Sequence, residues 1–465
     1  MQATLAIARL AIKSALRYRV FVVLALLIVG IVGGIPLIVK HDGTARGLAQ
    51  ITLTYTLGSV TVLLGFATLW IASGSIAREA AEAQLQMVDV KPIARWQVWL
   101  GKWLGIMAIN TVLLTFSGAG AYGLLLWRTN SLDAKQRYAM QQEVLVARGS
   151  AKEEATDFDS QVERLLATDA MKQQIEAGAN RERLAKTLRD DLVNANQNVP
   201  PNNLRRWTVN LGNIKERLGD IPLRIRFRFY SADGGSRGAT YPLEWTVGPL
   251  NRARAQLPIQ RYPASAFQEF EIPSGLVNDK GELIIDCANR GLVNLVFQLD
   301  DGLEVIYREG GFAPNLCRAG IILLSWLALL TTIGLSAGSG LSFPVAAFVA
   351  LTALVVGLSS GTLADIVEQG VILEAEHSHE GEEHAPPKKT IVDIVGVAVF
   401  RALLSVISVV KDFSPIESLS IGRHIPWLEV IRAVGVIVLA ASGLIALIGI
   451  GIFQKRELAL AAGRS

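Results

Sequence analysis

The residues best equipped for chemistry lie in one short run. Glu374-Ala-Glu-His-Ser-His-Glu-Gly-Glu-Glu-His-Ala-Pro-Pro387 sets His377, His379 and His384 among five glutamates. Imidazole and carboxylate together chelate divalent metals, so these histidines are candidate ligands of a weak, regulatory site. Gly381 and Pro386-Pro387 favour the competing reading, a flexible acidic linker. The two cysteines, Cys287 and Cys317, are too few for a disulfide framework or a four-cysteine zinc site. They offer either one disulfide or two free buried thiols. Strict alternation from Leu223 to Tyr230 puts Arg224, Arg226 and Arg228 on one face of a strand, as an anion-binding row or simply a solvated face.

Other chemistry is missing. Neither G-x-x-x-x-G-K-[ST] nor H-E-x-x-H occurs, so no P-loop binds nucleotide and no zincin helix is present. No catalytic residue and no bound cofactor are expected, and the chain reads as a non-enzyme.

The elements that carry these residues follow from composition. Of 465 residues 51% are hydrophobic and 18% charged, and mean hydropathy is +0.37. That is the balance of an integral membrane protein. The net charge of +4 needs only basic cytoplasmic loops, not nucleic acid, to explain it. A crossing takes about 20 apolar residues. Uncharged runs at Val20–Val39, Ile51–Ala77 and Trp103–Trp127 supply three, Ala319–Ala364 supplies two with a turn at Ser336–Pro344, and Ala433–Phe453 supplies a sixth. Ile391–Val410 carries Asp393 and Arg401, each costing about 2.5 to 3.5 kcal/mol at a bilayer centre, so it is read as non-crossing. None of the six runs holds an Asp, Glu, His, Lys or Arg, so the bundle lacks the groups on which ion-coupled transport depends.

Basic flanks at Arg9, Lys13, Arg17 and Arg19, at Arg78, Lys91, Arg95 and Lys102, and at Lys455, Arg456 and Arg464 place both termini and the second loop in the cytoplasm. The expected fold is therefore an α-helical integral membrane protein with six transmembrane helices and a periplasmic α+β insert, a helical hairpin plus a β-sandwich. Residues 1–19 form an amphipathic interfacial helix with Leu5, Ala8, Ile12 and Ala15 on its apolar face. Residues 20–127 hold spans one to three, with a cytoplasmic helical loop at 76–102. The insert occupies 128–315, spans four and five 316–364, an outer acidic and histidine-rich loop with the non-crossing segment 365–432, and the last span with its tail 433–465.

The 76–102 loop reads as an amphipathic helix, a break at Pro92 and a second helix entering span three. Arg78 and Glu79, the patch Leu85 to Val90, Pro92, Arg95 and Gly101-Lys102 resemble the coupling-helix region of permease subunits of type-2 ABC exporters. Ala83-Gln84 stands where those permeases usually carry Gly-Thr. Asp412-Phe-Ser-Pro-Ile-Glu-Ser-Leu-Ser-Ile-Gly-Arg423 and Phe453-Gln-Lys-Arg-Glu-Leu458 are similar to the outer segment and terminus of the copper-enzyme-maturation and gliding-motility branches. The resemblance covers the membrane skeleton and not the insert. It implies a bacterial inner (cytoplasmic) membrane location, a partner ABC ATPase subunit that holds ATP and Mg, and a second permease copy or paralogue. It makes Arg78, Glu79, Met87, Val90, Pro92, Arg95 and Trp96 the docking surface for that ATPase. The reading from another class is a membrane-anchored periplasmic ligand-binding or sensor protein.

Overall fold

The computed structural model describes residues 2–17, 19–38, 44–82, 93–130, 132–177, 180–214, 221–233, 239–251, 253–299, 301–358 and 413–456. The chain divides into a helical unit, residues 1–147 with 310–465, and a β unit, residues 148–309.

The helical unit contains α1 (Gln2–Arg17), α2 (Val20–Ile38), α3 (Gly47–Ala81), α4 (Arg95–Thr129), α5 (Phe312–Gly340), α6 (Phe343–Leu358), the short α7 (Pro415–Ser420) and α8 (Trp427–Lys455). Among the described residues α3, α4, α5 and α8 are each long and apolar enough to cross a membrane. The chain is a membrane protein carrying a separate β-sheet unit. α1 and α2 meet at 64° and pass the same test only as a bent pair, while α6 is shorter and residues 359–412 lie outside the described residues. Four helices thus match expected crossings in length and composition, and the two others expected from the sequence rest on these elements.

Local chemistry sets the ends. Thr44 Oγ1 accepts the Gly47 N–H at 2.9 Å and caps the helical turn Ala45–Gln50 that leads into α3. The helix break between α5 and α6 falls at Leu341, which is extended, and Pro344 takes the first turn of α6, where no amide donor is needed. With little hydrophobic drive between helices in lipid, polar pairs and close backbones hold the bundle. Thr68 and Asn110 exchange bonds of 2.9 and 3.1 Å between α3 and α4. Trp103 Nε1 donates to Thr332 Oγ1 at 3.0 Å between α4 and α5. A Cβ on Gly338 would stand 2.5 Å from the Ser73 carbonyl oxygen, so α3 and α5 approach as only glycine allows.

At the other end of α5, Asn315 Nδ2 donates to the Arg423 carbonyl at 2.7 Å and its Oδ1 accepts from Ile425 N at 2.9 Å. The segment before α8 is pinned there, and Phe413, Leu419 and Ile425 are buried with it.

In the β unit, two sheets share one core. One runs β1 (Val146–Ala151), β12 (Leu303–Gly311), β4 (Leu223–Phe227), β9 (Gln268–Ile272); the other runs β3 (Leu204–Asn210), β10 (Glu282–Asn289), β6 (Thr240–Val247), β7 (Ala255–Gln256), with β8 (Gln260–Pro263) also on β6. A third, small sheet joins β2 (Asn198–Val199), β11 (Leu295–Val296) and β5 (Tyr230–Ser231). Alternating burial on β3, β4 and β6 sends Trp207, Ile225, Phe227 and Trp245 inward. Phe227 and Trp245 meet at 4.6 Å between ring centroids. Helices Phe158–Leu166 and Arg181–Gln197 form the expected hairpin, clamped by Arg181–Glu163 at 2.8 Å and Arg189–Asp159 at 2.9 Å.

The insert is narrower than the expected 128–315 span. Met140, Val144 and Phe312 are buried in the helical unit's core, with Phe312 stacked on Tyr122 at 5.4 Å, and this apolar packing draws both ends of the insert into that unit.

Candidate functional site

The site is the end of the helical unit where α3 stops and α4 starts. Lys102, on α4, is buried, and its Nζ lies 2.6 Å from Glu79 Oε1 and donates to the Ser75 carbonyl at 2.8 Å. Ser75 and Glu79 are one turn apart on α3, so they present one face to the ammonium. A buried ammonium needs such partners to offset its lost hydration.

Arg95, at the first turn of α4, reaches a different helix. Its Nη1 donates to the carbonyls of Phe453 at 3.1 Å, Gln454 at 3.0 Å and Arg456 at 2.8 Å, the orphan acceptors at the end of α8. Arg456 repeats the device one helix further on, donating to the Gly338 and Ser339 carbonyls at the end of α5, each at 3.0 Å. Arg78, near the end of α3, stacks 3.8 Å over the Phe343 ring at the start of α6, and Trp70 meets that ring edge-on at 5.1 Å. Two cation-to-carbonyl ties, one ion pair and one cation–π contact thus link the ends of α3, α4, α5, α6 and α8. These contacts tie the helix ends to one another through side chains and backbone carbonyls.

The sequence-selected docking residues divide. Arg78, Glu79 and Arg95 face other helices and hold the bundle together. Trp96 is 44% exposed and stays outward. Met87, Val90 and Pro92 lie outside the described residues, as do His377, His379 and His384. Sequence reasoning gave Arg456 a membrane-anchoring role and missed the acceptors it binds. The clue was positional, a base directly after the last span's final turn, where helix carbonyls go unpaired.

Both cysteines are free, as in the second of the two readings left open by the sequence, but only Cys287, inside β10, is buried, while Cys317 on α5 is exposed. Burial pushes the Cys287 thiol well above its ordinary pKa and keeps it inert. The arginine row of β4 is not an open anion site either. Arg224 faces Glu269 and Glu271 at 3.8 and 3.7 Å, Arg226 pairs with Glu304, and Arg228 with Asp301. On the other sheet, Asp286 takes two bonds from Arg206, at 2.8 and 2.9 Å, and one from Arg254 at 2.7 Å. Burial works to raise its pKa, but these hydrogen bonds outweigh it and hold the carboxyl below its ordinary value.

No protein-family model, no curated protein and no solved structure matches the chain.

Proposed function

We propose that the chain is the permease subunit of an ATP-driven type-2 ABC exporter. In this reading it crosses the bacterial inner membrane six times with both termini in the cytoplasm. The β unit stands in the periplasm, and a second permease copy or a paralogue completes the pathway. ATP is hydrolysed on a separate ABC subunit, and the chain either moves a substrate or passes force to its β unit. The observation that carries the reading is the tied end of the bundle. Residues 83–92 join α3 to α4 in the chain, and the described helix ends on either side of them carry the Lys102–Glu79 pair and the Arg95 tie. A subunit pressing on that segment would move α3, α4, α5 and α8 together, which is what an ATP-driven change between inward and outward states requires.

The division of residues redirects the docking surface. Trp96, with Met87 and Val90, remains assigned to contact with the ATPase, while Arg78, Glu79 and Arg95 transmit the push. The test is purification of the full-length chain from its native membrane in mild detergent. An ABC ATPase should co-purify, and Trp96→Asp should release it without lowering the unfolding midpoint of the chain. Absence of any ATPase under conditions that preserve other membrane complexes overturns the reading.

A further inference from the structure

The sequence made α1 a generic interfacial helix, and the structure gives it a fixed orientation. α1 docks on α4 at a Gly-x-x-x-Gly notch. A Cβ on Gly101 would lie 2.7 Å from Ile7 Cβ and 2.8 Å from the Thr4 carbonyl, and a Cβ on Gly105 would lie 2.7 Å from Ala11 Cβ. Thr4 and Ala8 are buried on this face. Ile12 and Ala15 pack further along against the cluster of Leu24, Ile109 and Leu113. Leu5, expected on the apolar face, is instead 62% exposed, because the narrow notch admits only the stripe centred on Ala8.

Docking therefore decides what points away. At 100° per residue Arg9, Lys13 and Arg17 lie opposite the Thr4–Ala8–Ala11 stripe, at i, i+4 and i+8. All three are exposed, and none makes an ion pair or side-chain hydrogen bond among the described residues. Exposed Leu5 and Leu16 flank this basic row on one side and Leu10 on the other. The contact with Gly101 and Gly105 also sets the depth: it brackets Trp103, where the uncharged run of α4 begins. The row thus starts beside the edge of the uncharged run and continues along it, its leucines able to enter acyl chains while the long basic side chains reach back to phosphates. A soluble acidic partner would use the charges and leave the leucines unexplained.

We infer that α1, held by the Gly101/Gly105 notch, is a binding surface for anionic phospholipid, with Arg9, Lys13 and Arg17 on the headgroups. The inference does not depend on the permease reading, since it needs only a membrane protein. Juxtamembrane bases favour anionic lipid by about fivefold each.

Native mass spectrometry of the detergent-purified full chain, titrated with phosphatidylglycerol or phosphatidylcholine, tests this. The wild type should retain phosphatidylglycerol with a preference on the order of tenfold or more. The triple variant Arg9→Gln, Lys13→Gln, Arg17→Gln should lose that preference at an unchanged unfolding midpoint. The charge-keeping pair Arg9→Lys, Arg17→Lys should hold it, and covers the case in which the triple variant fails to fold. Equal retention of the two lipids by the wild type, or full preference in a folded triple variant, overturns the inference. So does displacement of the lipid by inorganic phosphate at matched concentration, which would make the row a site for a free anion.

Discussion

The Nη1 of Arg95 stands 2.8 Å from the carbonyl oxygen of Arg456, 361 positions later in the chain. The contact joins two stretches that the sequence singled out separately, the start of α4 and the basic end of α8. Arg456 then passes the connection on to Gly338 and Ser339. Removing the first link should therefore loosen more than one helix. Arg95→Gln is expected to lower stability by about 2 kcal/mol, the scale of hydrogen bonds from a charged donor. Arg95→Lys should recover part of it, since an ammonium reaches carbonyls without the planar fork. Unfolding midpoints of the purified chain in one detergent measure both.

The Lys102–Glu79 pair should be asymmetric. Lys102 is 6% and Glu79 38% exposed at the side chain. Glu79→Gln leaves a buried ammonium with the Ser75 carbonyl and hydroxyl as its remaining partners among the described residues and should cost about 2 to 4 kcal/mol. Lys102→Met leaves a carboxylate that water reaches and should cost less, about 1 to 2 kcal/mol. The double variant should be more stable than Glu79→Gln alone. A double-mutant cycle by chemical unfolding reads the difference, and strictly additive losses would contradict the pairing.

The two thiols should differ in reactivity. A maleimide should label Cys317 in the folded protein and reach Cys287 only after unfolding, because Cys287 is buried and its thiolate disfavoured. Mass spectrometry after labelling with and without denaturant decides this. With sealed membranes and an impermeant reagent, the same experiment also reports on which side the Cys317 end of α5 lies.

Asp286 gives the β unit an acid sensitivity of known sign. Its folded pKa is depressed below its unfolded value of about 3.9. The contribution is therefore fully present above the unfolded value and is lost as pH falls through the folded one. Asp286→Asn should remove about 1 to 3 kcal/mol at neutral pH and flatten the acid limb of the stability profile. Trp207 and Trp245, packed in the same core, supply the fluorescence signal.

Much of the architecture was legible because lipid imposes a coarse rule. Long uncharged runs located α3, α4, α5 and α8, and the Leu223–Tyr230 alternation located β4. What stayed hidden was direction. A base beside a span looks alike in sequence whether it meets water, a partner or a helix carbonyl, so Arg95 gave no sign that it points inward, and Arg456 gave only its position after the last turn of α8. The arginines of β4 seemed an open row because their partners, Glu269, Glu271, Asp301 and Glu304, arrive from 45 or more positions away. On α1 the expected face holds for Ala8, Ile12 and Ala15 and fails at Leu5 for a different reason. Its apolar face was read from its own residues, while the notch that selects its docked face belongs to Gly101 and Gly105 on another helix.

Under the proposed permease reading, a push on residues 83–92 travels through Arg95 to α8 and α5. Cys317 lies on α5 far from that end and is a native reporter. The measurement is the rate of maleimide labelling at Cys317 in the purified complex with its ATPase, with and without ATP. The rate should change on ATP addition in the wild type. In Arg95→Gln, which should still bind the ATPase through Trp96, it should not. An identical ATP-dependent change in Arg95→Gln, or none in the wild type with a hydrolysing ATPase bound, would contradict the account.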